Sequence, residues 1–213
     1  MINIRRPFDT FLANQLANPH GLPSTSVAVH MNRRNRTAIQ AAVNATEAEP
    51  GDVVADIGFG GGLGISLLLD LVGPDGVVHG IDISRNMVMR ARSRFRSETA
   101  DGRLALARAQ LTALPLPDQS VDAAISVHTL YFVPDLPVAC AELVRVLRPG
   151  GRLIIGIGDP AAMADLPHTM YRFILRPISL ISTALEHQGC SVSHRYFYNG
   201  PTPYWLLNAI VPT

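Results

Sequence analysis

The chain has 213 residues, 47% of them apolar and 16% charged, and its 18 basic and 17 acidic side chains leave a net charge of +1. That length supports one domain with a substantial core, and the balanced charge gives no global footprint for nucleic acid. No run approaches the roughly 18 apolar residues of a membrane span, the start lacks the apolar segment of a signal peptide, and the two cysteines, Cys140 and Cys190, make no disulfide framework or metal site. The expected protein is therefore cytoplasmic, without a metal or a membrane span, and a monomer or homodimer.

Residues 1–49 read as mostly helical and are expected to cap a site carried by a sheet core over residues 50–213, the whole forming a single domain. Within the core, short β-branched runs alternate with helical patterns. "DVVADI" (52–57) reads as a strand and "GLGISLLLDLV" (62–72) as a helix. "GVVHGID" (76–82) is a second strand, and the helix over 84–98 has Ser84 placed to cap it. "RLALARA" (103–109) and "VDAAISV" (121–127) are further strands. A helix over 135–151 opens with Asp135 and Pro137 and stops at Pro149, and "RLIIGIG" (152–158) is the fifth strand. A helix closed by Gly189 leads to two last strands, 191–198 and 204–211, joined by the turn "NGPTP". Apolar strands separated by helices describe a doubly wound, Rossmann-like, mostly parallel sheet of seven strands that ends in an antiparallel hairpin.

All 18 basic residues are arginine, so no lysine Schiff base is possible. The arginines at 33, 34 and 36, and at 90, 92, 94 and 96, form either solvated helix faces or a surface for an anionic partner.

"DIGFGGGLGIS" (56–66) contains five glycines and sits where strand one turns into helix one, the place where doubly wound sheets bind ligands. The dinucleotide spacing G-x-G-x-x-G fails, because its sixth position is Leu63 or Ile65 in the two available registers, and a phosphate loop would end in lysine. What the stretch offers is an acid followed by alternating glycines: Asp56, Gly58, Gly60, Gly62. Glycines let the backbone approach a ligand closely, while a carboxylate just upstream repels a pyrophosphate and attracts a cationic group. Asp82, at the end of strand two, can accept both hydroxyls of a ribose. An amino-acid head group near one acid and a ribose on the next describe S-adenosylmethionine.

With "VADIGFGGGLG", "GIDIS", "ALPLPDQSVDAAIS" and "RVLRPGGRLIIG" in this order, the chain from Pro50 onward resembles the class I S-adenosylmethionine-dependent methyltransferases, with a further likeness to small-molecule and sugar O-methyltransferases. The resemblance implies that Asp56 and the glycines hold the methionine end, that Asp82 holds the ribose, and that Ile83 and Met87 pack on the adenine. Many relatives carry an acid before the "ALP" segment; here Gln110, followed by Leu111, stands in that place, and its carbonyl accepts from the adenine amino group without a charge. Met87 is equally readable as a core residue.

For the methyl acceptor, "ISVHTLYFVPD" places His128 at the end of strand four with Tyr131 three residues on, so that His128 either takes the acceptor's proton or packs against a loop. His30, Asn32 and Asn35 upstream, and His168 and Tyr171 after strand five, are candidates to line the acceptor pocket. These polar side chains point to a small hydroxyl-bearing acceptor, a sugar, alcohol or phenol. C- or N-methylation of a quinone-like or amine metabolite is the alternative. A non-catalytic adenosyl-ligand-binding protein and a nicotinamide oxidoreductase are the rival classes.

Overall fold

The computed structural model describes residues 5–18 and 24–213; what the sequence leads one to expect of 1–4 and 19–23 lies outside the described residues. Five parallel strands, β1 (Val53–Ile57), β2 (Val77–Asp82), β3 (Leu104–Arg108), β4 (Val121–Val127) and β5 (Leu147–Gly158), are followed by β6 (Ser191–Phe197) and β7 (Tyr204–Ile210). The sheet order is β3-β2-β1-β4-β5-β7-β6, with β7 antiparallel to both of its neighbours. This is the seven-stranded, mostly parallel Rossmann-like sheet with a terminal hairpin that the alternation of runs predicts.

The helices are α1 (Arg5–Ala17), α2 (Ser24–Ala45), α3 (Leu63–Val72), α4 (Arg85–Arg94), α5 (Arg96–Ala100), α6 (Leu136–Arg145), α7 (Pro160–Ala164) and α8 (Ile178–Glu186). Strand side chains alternate between two apolar layers. Val54 packs with α2, α3 and α4, while Ala55 and Ile57 pack with α6 and α8 on the opposite face. Side chains such as Ile65, Leu68 and Leu143 are fully buried, each stabilising the fold by about 1.5–3 kcal/mol. From β1 the chain winds outward through β2 to β3, and from β4 it winds the other way. The crevice between the carboxyl ends of β1 and β4 is thus the topological switch point, and the site is built there.

Three boundaries differ from the sequence reading, each for a tertiary reason. The helix over 84–98 breaks at Phe95, whose non-helical backbone (φ −107, ψ 43) lets the ring bury beneath the glycine loop. The helix starting at Leu136 ends at Arg145, because the residue before a proline disfavours helix and Arg145 is drawn into bonds with Glu142, Asp118 and the Leu114 and Leu116 carbonyls. The strand expected from 152 therefore begins at Leu147, with a register shift opposite Val121–Ala123. Cys190 lies between α8 and β6, not in a helix; both thiols are free and buried.

Candidate active site

The loop after β1 is shaped by backbone. Gly58, Gly60 and Gly62 all have positive φ (83, 50 and 75). At Gly58 a side chain is excluded twice: the left-handed backbone strains any residue with a Cβ, and that Cβ would collide with Thr129 Oγ1 and stand 2.7 Å from its Cγ2. The Gly58 N–H donates to the Ile81 carbonyl at 2.7 Å, fastening the loop to the end of β2. Gly64 serves a different end, since a Cβ there would run into the Asp56 carboxylate. The first turn of α3 thus closes on that acid. Asp56 is buried, and burial, then the negative field of Asp82, push its pKa up to about 8 against a lowering hydrogen bond from the Ile65 N–H.

Asp82 is also buried. Its Oδ2 accepts the Gly60 N–H at 2.9 Å and its Oδ1 the Ser84 N–H at 2.8 Å. Burial raises its pKa while these two bonds lower it. Each oxygen keeps a second acceptor direction, so the acid that ties the glycine loop to β2 still has capacity for a ligand. Ser84 caps α4 by accepting from the Met87 N–H. Ile83, next along, stands 41% exposed, an apolar side chain projecting at the carboxyl edge of the sheet. Met87 is instead 1% exposed and packs in the core between α2, α3 and α4, so the core reading of that residue is the one the packing shows. Gln110 is exposed on the loop after β3, and Leu111 beside it is buried.

His128 ends β4 in the left-handed region (φ 58), a conformation histidine adopts more readily than most residues. Its N–H donates to the Gly156 carbonyl, which fixes the bend and turns the chain into a 3₁₀ turn (Leu130–Phe132). Tyr131, on that turn, is buried; its hydroxyl accepts the Gly158 N–H and lies 3.2 Å from His128 Nδ1. Burial pushes the phenol pKa up, so Tyr131 stays protonated, and its hydroxyl shares with His128 Nδ1 a hydrogen bond whose direction the imidazole tautomer sets. A neutral imidazole that accepts at Nδ1 carries its hydrogen on Nε2. Burial, and then the positive field of Arg34, pull the His128 pKa down to about 4, so the ring is neutral at pH 7.

His128 and Tyr131 line a cavity of about 110 Å³. Its walls come from Leu12 and Leu16 of α1, from His30, Met31, Arg34, Asn35, Thr37 and Ala38 of α2, and from Phe132. Met163, Leu166, His168 and Phe173 follow after β5, and Gly200, Pro201, Thr202 and Tyr204 come from the β6–β7 hairpin. Met31 also reaches Gly60, so the cavity abuts the glycine loop. His30, Asn35 and His168 therefore meet His128 in one cavity. Asn32 does not line it; its Nδ2 donates to the Gly61 carbonyl at 2.9 Å and steadies the loop. Tyr171 faces a separate shallow groove with Pro7, Thr10, Phe11 and Asn14. Sequence reasoning missed Thr129, hidden behind Gly58, and left Arg34 undivided from Arg33 and Arg36 as either a solvated face or a surface for an anionic partner. The only available signal for Arg34 was helical phase, since positions 30, 31, 34, 35 and 38 share one face of α2.

Among the described residues no His, Cys, Asp and Glu cluster could hold a metal, and no helix is long and apolar enough to cross a membrane. What the cradle offers an organic ligand is a glycine loop open to close approach, two buried carboxyl groups and an exposed apolar platform at Ile83.

Residues 55–155 match the family model of the methyltransferase domain. Over 161 residues the chain is 33% identical to a 2-phytyl-1,4-naphtoquinone methyltransferase of Synechococcus elongatus, covering 73% of this chain and 65% of that protein. It is 34% identical over 118 residues to an arsenite methyltransferase of Halobacterium salinarum, covering 55% of this chain and 29% of that one. The chain thus spans less than two thirds of the length of either relative. A SAM-dependent methyltransferase from Aquifex aeolicus superposes with a TM-score of 0.71 at 22% identity, covering 88% of this chain and 98% of that structure. Motifs, domain match and fold converge: residues 55–155 belong to the methyltransferase domain family, on a fold of the class I, S-adenosylmethionine-dependent type.

Proposed function

We propose that the protein transfers a methyl group from S-adenosylmethionine to a hydroxyl on a small, largely apolar molecule, a phenol or enol. The observation that carries this reading is the cavity itself, which abuts the glycine loop and is lined by the His128–Tyr131 pair. In this reading Asp56 and the loop of Gly58, Gly60 and Gly62 receive the methionine end, Asp82 accepts from the ribose hydroxyls, and Ile83, Gln110 and Leu111 border the adenine. Leu12, Leu16, Met31, Phe132, Leu166 and Phe173 give the cavity walls an apolar character that suits a ring or chain better than a sugar, whose many hydroxyls would each need a partner.

Bound S-adenosylmethionine supplies a methyl carbon on a sulfonium, already activated for in-line displacement, so the protein's part is to align and to hold charge. Such positioning accounts for about 7–11 kcal/mol of a barrier in favourable cases. The hydrogen-bond pattern around His128 favours a donor over the base expected from the sequence. With the Tyr131 O–H donating to Nδ1, the imidazole hydrogen lies on Nε2, the nitrogen this reading assigns to the acceptor. It donates to an acceptor oxygen that has already lost its proton to solvent, and stabilises that anion while it attacks the methyl carbon. A phenolate held this way is nucleophilic at oxygen and at ring carbon. C-methylation of a quinol-like acceptor is therefore the second reading, supported by the match over 73% of the chain to a naphthoquinone methyltransferase.

The test has two arms. S-adenosylhomocysteine at a hundredfold excess over Kd is expected to stabilise the fold by about 2.7 kcal/mol, raising Tm, with no response to NAD; a response to NAD alone overturns the methyltransferase reading. Release of S-adenosylhomocysteine is then followed over hydroxylated aromatics and sugars. Turnover confined to sugars overturns the acceptor class and leaves the donor intact.

A further inference from the structure

We propose that the molecule this cavity takes carries one carboxylate, held by Arg34 at the mouth while the rest of the molecule lies against the apolar walls. The inference deepens the methyltransferase reading, because it names the acceptor class as an apolar hydroxy acid, yet the anion site itself needs no cofactor.

Arg34 sits in the middle of α2, four residues after His30 and on the cavity side of the helix. It is exposed where His128 is half-buried, which places the guanidinium at the rim. Its Nη2 donates to the Thr202 hydroxyl at 3.3 Å, across the mouth, and among the described residues no carboxylate pairs with it. Among the described residues Arg145, Arg148 and Arg152 hold acids; Arg34 is one of several arginines that do not, and what sets it apart is its place as the one described arginine on the cavity wall. Among the described residues no Asp or Glu lines the cavity. The positive field of Arg34 reaches both His128 and His168, whose pKa it lowers after burial does, with Asp9 opposing it only at His168. An uncompensated guanidinium facing an apolar cavity is a planar fork suited to bidentate binding of a carboxylate. A phosphate dianion is the poorer match. The described wall offers one cation, and the helix interior around Arg34 has no free N–H groups to cradle a second charge.

The experiment measures binding to the whole protein, with and without S-adenosylhomocysteine, of matched carboxylate and carboxamide pairs: 4-hydroxybenzoate, 4-hydroxycinnamate and octanoate against their amides. At least one carboxylate is expected to bind about tenfold to a hundredfold more tightly than its amide, the range of a charge-assisted hydrogen bond. Arg34→Gln should abolish that preference, Arg34→Lys should keep part of it, and Thr202→Val, which removes only the contact across the mouth, should keep it whole. Absence of any preference in the wild type, or a preference that survives Arg34→Gln, overturns the proposal. Loss of S-adenosylhomocysteine affinity in Arg34→Gln also overturns it, by moving the arginine to the donor side. If the wild type shows the preference but fails to bind S-adenosylhomocysteine, the methyltransferase reading falls and the anion site stands.

Discussion

The proposed donor cradle and the proposed acceptor cavity adjoin at Met31, which lines the cavity and reaches Gly60, but they are held together in opposite ways. The cradle is fixed by backbone: positive φ at three glycines, the Gly58 N–H on the Ile81 carbonyl, and two N–H groups on one carboxylate. The cavity is fixed by side chains from segments far apart in sequence, from Leu12 on α1 to Tyr204 on β7. A backbone-built site admits few substitutions and binds one ligand; a side-chain-built site can change its ligand without disturbing the first. The two halves should therefore fail differently when mutated.

The largest expected effect is on the cradle. Gly58→Ala places a Cβ on left-handed backbone, at roughly 1–2 kcal/mol, and into Thr129. It should erase the Tm response to S-adenosylhomocysteine; normal binding by this variant, measured calorimetrically, would show that the loop tolerates a side chain. His128→Ala and His128→Asn come next, the second because asparagine also tolerates left-handed backbone and so separates strain from chemistry. Turnover should fall by about 10²–10³, as for a lost oxyanion donor, with S-adenosylhomocysteine affinity kept. Near-normal turnover in both would remove the ring from the reaction.

Asp82→Ala should cost both binding and stability, because it also strands the Gly60 and Ser84 N–H groups; each unpaired donor costs about 1–3 kcal/mol. Weakened binding with an unchanged Tm would mean that the loop holds without the carboxylate.

The smallest effects are in pH. His128, neutral down to about 4 in the fold against an ordinary 6.5, makes the unfolded chain bind more protons between those values, so stability falls as pH drops through that window. Asp56 works in the opposite sense: its pKa of about 8 against 3.8 means the fold holds the proton, and stability falls as pH rises between those values. The Tm of Asp56→Asn should accordingly decline less than wild type between about pH 6 and 8. An equal decline would place the ionisation elsewhere. Activity should show no inflection at the ordinary imidazole value and should instead follow the acceptor's own pKa across a series of phenols; an inflection fixed near 6.5 would restore the base role.

Much of the cradle was legible because its parts are contiguous. Asp56 and its glycines fall within seven residues, and Asp82 ends a strand whose apolar run announces it. The cavity was legible only where a residue's place followed from the strand order, as with His128 at the end of β4. Asn32 and Asn35 look alike in the sequence, yet three residues of helical rotation send one to the Gly61 carbonyl and the other to the cavity. Arg34 reads as a solvated charge until α2 is docked on the sheet. Phe95 breaks a helix that local propensity favours, because the space beneath the glycine loop must be filled, and no local pattern carries that information.

The rim of the cavity includes Gly200, Pro201 and Thr202, which belong to the turn between β6 and β7 at the open edge of the sheet. Doubling such a loop costs only about 0.6 kcal/mol in closure entropy, and no strand has to move to accommodate it. The turn, unlike the core-packed strand β7 that follows it, is thus the exchangeable part of the rim: foreign turns grafted there would re-aim the proposed acceptor cavity, with Arg34 kept or replaced independently.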